Sequence, residues 1–168
     1  ITRYQQYRAV HKTVEKITNG KNKKEKGGII WHTQGSGKSL TMVFLAQVIR
    51  RNDELKKYKL LYITDRTQLD SQLTTTFQNT QDETVYQADS VQELRELISN
   101  DSSDLITSTI QKFQEIRGEN LEVLNESDRI VVLIDEAHRT QYGTFGMVLN
   151  TVLPNAAKIA FTGTPLLK

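Results

Sequence analysis

The sequence predicts an α/β domain: a mostly parallel β-sheet flanked by helices on both faces. Three observations carry that expectation. Aliphatic and β-branched runs too short for helices recur along the chain, segments of helical period separate them, and the polar turns after several runs hold the chemistry-bearing side chains.

Taken in order, the runs are Ile29-Ile30-Trp31, Leu60-Leu61-Tyr62-Ile63, Leu105-Ile106, Ile130-Val131-Val132-Leu133-Ile134 and Ile159-Ala160-Phe161. They are apolar on consecutive residues, the pattern of strands buried on both faces. After Ser39, residues Leu40, Val43, Phe44, Gln47 and Val48 follow the i, i+3, i+4 rule, and Met42, Leu45 and Ile49 widen that stripe. Asp65 reads as the N-cap of a further helix in which Leu69, Leu73 and Phe77 repeat every four residues. Ser90 and Glu93 have capping-box spacing, with Val91, Leu94, Leu97 and Ile98 as the stripe behind them. Strand and helix in alternation require right-handed crossovers and hence a parallel sheet, whose ligands belong beyond the carboxyl ends of the strands. The one charge run, from Gly20 to Gly28, reads as a solvated surface loop, with a phosphate-backbone contact as its alternative. There is no internal repeat.

Composition limits the function. At 168 residues the chain is one domain by length, too small for two motor domains with a substrate site between them. Its 22 Lys+Arg against 20 Asp+Glu exclude the strong basic excess of a small general nucleic-acid binder. The lack of cysteine removes disulfides, thiolate chemistry and Cys-ligated zinc, and fits a cytoplasmic location. His11, His32 and His138 have no metal-ligand spacing. No apolar run is long enough to cross a bilayer and no signal peptide is visible, so no membrane partner is expected. A first residue of Ile1 rather than Met suggests a piece of a larger polypeptide.

Three turns carry chemistry. Thr33-Gln34-Gly35-Ser36-Gly37-Lys38-Ser39 follows a strand and opens a helix, the context of a phosphate loop. Gly35 and Gly37 let backbone N–H groups converge on an anion without a Cβ clash, and the helix N-terminus adds its unpaired donors. Lys38 is placed to reach the β and γ phosphates of a nucleotide such as ATP, and the Ser39 hydroxyl to take a position on Mg²⁺. One letter departs from the GxxxxGK[ST] pattern: His32 stands where Gly or Ala is usual. The second turn is Asp135-Glu136-Ala137-His138, where two adjacent carboxylates leave the end of a buried strand. Asp135 can hold Mg²⁺ through its water shell, and Glu136 can accept a proton from the water that attacks the γ phosphate. In the third, Thr162-Gly163-Thr164-Pro165, hydroxyls at the same edge can sense the γ phosphate.

In that order and at those separations, TQGSGKS, DEAH and TGTP resemble motifs I, II and III of the first motor domain of superfamily two helicases and translocases, a RecA-like P-loop NTPase domain. The resemblance covers nearly the whole chain. WHTQGSGKSLTM, ITDRTQLDSQL, STIQKF and LIDEAHRTQYG are further similar to the motor, or R, subunit of type I restriction enzymes. Arg3 to Val10 resembles the Q motif, whose glutamine pairs with the adenine edge; spacing to Ala9 favours Gln6, with Gln5 the competitor. Thr64 and Arg66 fall in motif Ia, and Thr109 and Gln111 in the next DNA-contact motif, groups suited to holding phosphates without reading bases. Arg139 to Gly143 carries family wording with no derived role.

The resemblance implies ATP-driven translocation along duplex DNA, coupled to cleavage by a nuclease domain outside this chain. It also implies a second motor domain in the same parent polypeptide, supplying arginines to the ATP site, and methyltransferase and specificity subunits as partners. The only E-x-K triplet, Glu54-Leu55-Lys56, has no Asp before Asp53, so nuclease chemistry is expected before residue 1. The alternatives are another superfamily two helicase or remodelling ATPase, and a binding module that responds to nucleotide without hydrolysing it.

Overall fold

The computed structural model describes residues 4–33, 37–65, 74–75, 77–79, 84–118, 120–135 and 139–163. Six parallel strands form one sheet among them: β1 (Gly28–Trp31), β2 (Lys59–Thr64), β3 (Val85–Gln87), β4 (Leu105–Thr109), β5 (Ile130–Asp135) and β6 (Ala157–Thr162), in the spatial order β1-β6-β5-β2-β4-β3. The helices are α1 (Tyr4–Asn19), α2 (Lys23–Lys26), α3 (Lys38–Arg51), α4 (Val91–Ser99), α5 (Ile110–Glu115), which runs into a 3₁₀ turn at Ile116–Gly118, and α6 (Arg139–Val152). The parallel sheet with helices on both faces agrees with the sequence expectation.

The strand period of two divides the core into two layers. Leu60 and Tyr62 of β2, Val131 and Leu133 of β5, and Ile159 and Phe161 of β6 face one way, against Val10, Val14 and Ile17 of α1 and Met42, Leu45 and Ile49 of α3. Leu61, Ile63, Val132 and Ile134 face the other, against Leu94 and Ile98 of α4, Phe113 of α5 and Phe145, Val148 and Leu149 of α6. Full burial of such a side chain contributes about 1.5–3 kcal/mol, so the continuous apolar letters of β2 and β5 are used on both faces.

Four expectations change in detail. β1 is an edge strand with one neighbour among the described residues. Only Ile30 turns toward the first layer, while Ile29 and Trp31 stay 57% and 55% exposed, so this run is not buried on both faces. In α3 the buried arc is Thr41, Met42, Val43, Leu45, Ala46 and Ile49, because the helix packs against α1 as well as the sheet; Leu40, placed in the stripe by spacing, is 65% exposed. The charge run contains a capped helical turn. The Asn22 side chain accepts hydrogen bonds from Lys24 N (3.0 Å) and Glu25 N (3.1 Å), and Lys26 is buried with Nζ 3.5 Å from the Tyr58 hydroxyl. At α4, Ser90 Oγ accepts from Glu93 N at 3.1 Å, but the Glu93 carboxylate closes the box on Asp89 N at 2.8 Å, one residue earlier than the motif places it. The helix expected after Asp65 falls largely outside the described residues, as do Leu69 and Leu73; Phe77 is buried in the first layer. None of the described helices is long and apolar enough to cross a membrane.

Lys158, on β6, carries a pH signature. Burial, and after it the charge of Lys23, lowers its pKa from 10.5 to about 8. Below pH 8 the fold must hold a partly desolvated ammonium, and between about 8 and 10.5 the unfolded chain binds a proton that the folded chain does not. Stability from this residue therefore rises with pH across that window. Lys158→Met is expected to raise the thermal midpoint at pH 7 by about 2 °C, with the difference from the parent closing between pH 8 and 10.5 in a series of melting curves.

Candidate nucleotide site

Asp135 owes its position to its parity in β5. It follows Val131 and Leu133 on the face that packs against α1 and α3, so its carboxylate projects toward the start of α3 rather than toward α6. Lys38, the first residue of α3, reaches the same place, and its Nζ lies 2.8 Å from Asp135 Oδ1. Asp135 is 1% exposed. Among the described residues its Oδ1 has no partner beyond that ion pair, and Oδ2 accepts a hydrogen bond from the Tyr62 hydroxyl at 3.3 Å.

The loop backbone meets a specific conformational demand at Gly37. Its φ of +81° is left-handed, and a Cβ there would stand 2.6 Å from Gln6 Nε2. Glycine alone satisfies both conditions without strain. The Gly37 carbonyl collects Thr41 N at 3.0 Å, Thr41 Oγ1 at 3.1 Å and Gln6 Nε2 at 3.2 Å, so α1 and α3 grip the end of the loop together. Gln6 is buried and Gln5 is exposed. The N-cap of α3 is Gly37, which has no side chain of its own to accept from the first-turn N–H groups. Ser39 sits in that turn, half-buried.

His32, singled out only as a departure from the loop pattern, proves to be a buried wedge. Its N–H extends the β1–β6 ladder by donating to Thr162 O at 2.9 Å, and its ring stacks on Phe161 with centroids 6.4 Å apart. Desolvation, then the charge of Lys38, lowers its pKa below the usual imidazole value and favours a neutral ring. His32 thus ties the start of the phosphate loop to the strand that carries the third motif. Thr162 is buried, Gly163 is half-buried and Thr33 is exposed. Gln34, Gly35, Ser36, Glu136, Thr164 and Arg66 lie outside the described residues.

The DNA-contact candidates lie along the same carboxyl edge. Thr64 and Thr109 are direct partners in the β2–β4 ladder, but neither hydroxyl is presented outward: Thr64 is buried, and Thr109 Oγ1 caps α5 by accepting from Lys112 N at 3.2 Å. Gln111 is exposed. Lys112 Nζ donates to the Ala88 carbonyl.

The fit to a magnesium nucleotide rests on this chain's own groups. A lysine and the first turn of α3 would meet phosphates, and Asp135 Oδ1, whose one partner among the described residues is that lysine, would take the metal with the Ser39 hydroxyl. Among the described residues no cluster of three His, Asp or Glu forms a metal site independent of a nucleotide. Sequence reasoning missed Tyr62, which reads as one more apolar letter in its run. The available signal was a polar-tipped side chain among Leu60, Leu61 and Ile63.

Comparison with known proteins identifies the family and the fold. Residues 5–168 match the SWI2/SNF2 ATPase family. The chain is 39% identical to the putative type I restriction enzyme MjaIXP endonuclease subunit of Methanocaldococcus jannaschii, covering 98% of this chain and 16% of that protein. It is 37% identical to the type I restriction enzyme HindI endonuclease subunit of Haemophilus influenzae, over 99% of this chain and 18% of the relative. The chain therefore spans about a sixth of the length of these curated relatives. Among solved structures, a nuclease-deletion mutant of the Type ISP restriction-modification enzyme LlaGI in complex with a DNA substrate mimic superposes with a TM-score of 0.65 at 19% identity, covering 100% of this chain and 18% of that one. The Sulfolobus solfataricus SWI2/SNF2 ATPase core in complex with dsDNA gives 0.64 at 19% identity, covering 98% and 32%. At that identity the likeness establishes the RecA-like fold.

The buried pair makes a measurable claim. Lys38→Ala leaves the Asp135 carboxylate without its cation and is expected to cost about 3 kcal/mol in denaturant unfolding. Adding Asp135→Asn removes the stranded charge and should recover most of that loss; a double variant no more stable than Lys38→Ala would contradict the pairing.

Proposed function

The chain belongs to the SWI2/SNF2 ATPase family, and from that premise we propose that it is the ATP-binding motor domain of a type I restriction enzyme R subunit. ATP hydrolysis here drives the parent enzyme along duplex DNA, and a nuclease domain elsewhere in that polypeptide then cuts. One observation carries the nucleotide half of this reading: Lys38 and Asp135 meet at 2.8 Å where the start of α3 faces the end of β5. The restriction half rests on identities of 39% and 37% to type I endonuclease subunits over nearly the whole chain.

Each residue has a defined task. The first turn of α3 and Lys38 bind and orient the β and γ phosphates. Ser39 and Asp135 would hold Mg²⁺, which would supply charge neutralisation at the phosphates. Glu136 takes the proton of the attacking water. Gln6 fixes the loop through Gly37 and reads the adenine edge, and Gly35, Ser36, Thr33 and Gln34 complete the backbone cradle. Thr162, Gly163 and Thr164 report the presence of the γ phosphate to the DNA-binding edge, where Arg66 and Gln111 hold the backbone, with Thr64 ending the strand before Arg66 and Thr109 capping the helix that carries Gln111. A second motor domain of the parent chain contributes arginines, and methyltransferase and specificity subunits bring the complex to its DNA sequence.

The decisive experiment uses the full-length protein with its partner subunits. Displacement of a third strand from duplex DNA, driven by ATP and lost in Lys38→Ala, is expected without strand separation on the same DNA. Strand separation instead would assign a helicase, and ATP binding with neither activity would assign a nucleotide-responsive module. Turnover by residues 1–168 alone should fall short of the full complex by about 10³-fold or more, the usual worth of a missing arginine finger.

A further inference from the structure

We propose that Tyr62 is a positioning residue for the metal site: its hydroxyl fixes the Asp135 carboxylate so that Oδ1 remains directed at the metal's water shell when Lys38 turns to the phosphates. This rests on the nucleotide-site reading above. Tyr62 lies in the middle of β2 and is fully buried. β2 pairs with β5 in a register that sets Tyr62 opposite Leu133. The phenol therefore shares a face with Leu133 and reaches two residues forward to Asp135, where its O–H donates to Oδ2 at 3.3 Å.

The two carboxylate oxygens consequently have different neighbours. Oδ1 faces Lys38 Nζ and Oδ2 faces the phenol. Lys38 is asked to serve both Asp135 and a phosphate, and its ammonium is a single compact charge on a flexible stem. Binding of the nucleotide removes one restraint from the carboxylate, and Tyr62 is the restraint that stays. Packing alone does not call for a hydroxyl here, since the residues around it in the middle of the strand, Leu60, Leu61 and Ile63, are hydrocarbon. A buried phenol needs hydrogen-bond partners, and among those of Tyr62 is a carboxylate of the proposed metal site. Residues that orient a metal-binding carboxylate from behind tune metal affinity without touching the metal.

The test is Tyr62→Phe in the full-length protein, which removes one oxygen and keeps the ring. Affinity for a fluorescent ATP analogue is measured by titration in EDTA and then against Mg²⁺ concentration. The expected result is unchanged metal-free affinity and a thermal midpoint close to the parent's, with about tenfold more Mg²⁺ needed for half-maximal enhancement of binding. In an Asp135→Asn background the same substitution should leave the Mg²⁺ requirement where it was, the non-additivity expected of two groups acting as a unit. An identical Mg²⁺ requirement in parent and Tyr62→Phe would overturn the proposal. So would an equal loss of metal-free and metal-bound affinity together with a lowered midpoint, which would make the hydroxyl purely structural. A parent protein that binds no nucleotide under either condition would bring down the underlying site, a result distinct from both.

Discussion

The register of β5 between β2 and β6 is the constraint on which the site depends. Both faces of the strand are buried, so a slip of one residue would exchange its two apolar sets and turn Asp135 away from α3 toward α6. The aliphatic residues that hold this register are remote from any phosphate. They nevertheless decide that Asp135, Tyr62 and the start of α3 share one side of the sheet. In this sense the chemistry is placed by hydrophobic sorting, and electrostatics acts on what the sorting has assembled.

Within that frame the polar groups are arranged as a chain. Tyr62 donates to Asp135, Asp135 faces Lys38, and Lys38 is close enough to His32 to disfavour a charged imidazole. His32 in turn rests on Phe161 beside Thr162. The first and third motifs, 130 residues apart in some pairings, are thereby joined through one buried ring and one backbone hydrogen bond rather than through a flexible loop. Gln6 adds a second hold from α1, so the glycine with left-handed φ is fixed from outside its own helix as well as from within.

Much of this was legible from letters alone, and the reasons differ by residue. Ile130 to Ile134 announced a strand buried on both faces because five successive apolar side chains have no other stable use, and Lys38 with Asp135 could be paired because parallel strands end at one edge. Other features were hidden. Periodicity assigned Leu40 to the buried stripe of α3, since a helical pattern gives the angle between residues but not the direction of a second packing partner such as α1. Lys26 looked like one more solvated charge, though it is buried and its ammonium lies 5.8 Å from the centroid of the Tyr58 ring. β3 is only three residues long, and two of its side chains are exposed, so it lacked an apolar run to announce it. Tyr62 was overlooked because the same letter serves as hydrocarbon in a core and as a hydrogen-bond donor at its tip.

The exposed side of β1 matters for handling the protein as well as for its architecture. A parallel edge strand carries backbone N–H and C=O groups in a row, and here two large apolar side chains, Ile29 and Trp31, stand on one of its faces. Cut free of the longer polypeptides in which its relatives occur, a domain with that border is inclined to self-associate through added strands. Concentration and yield would then be governed by four residues at the rim of the sheet, which take no part in the chemistry of the carboxylate and lysine.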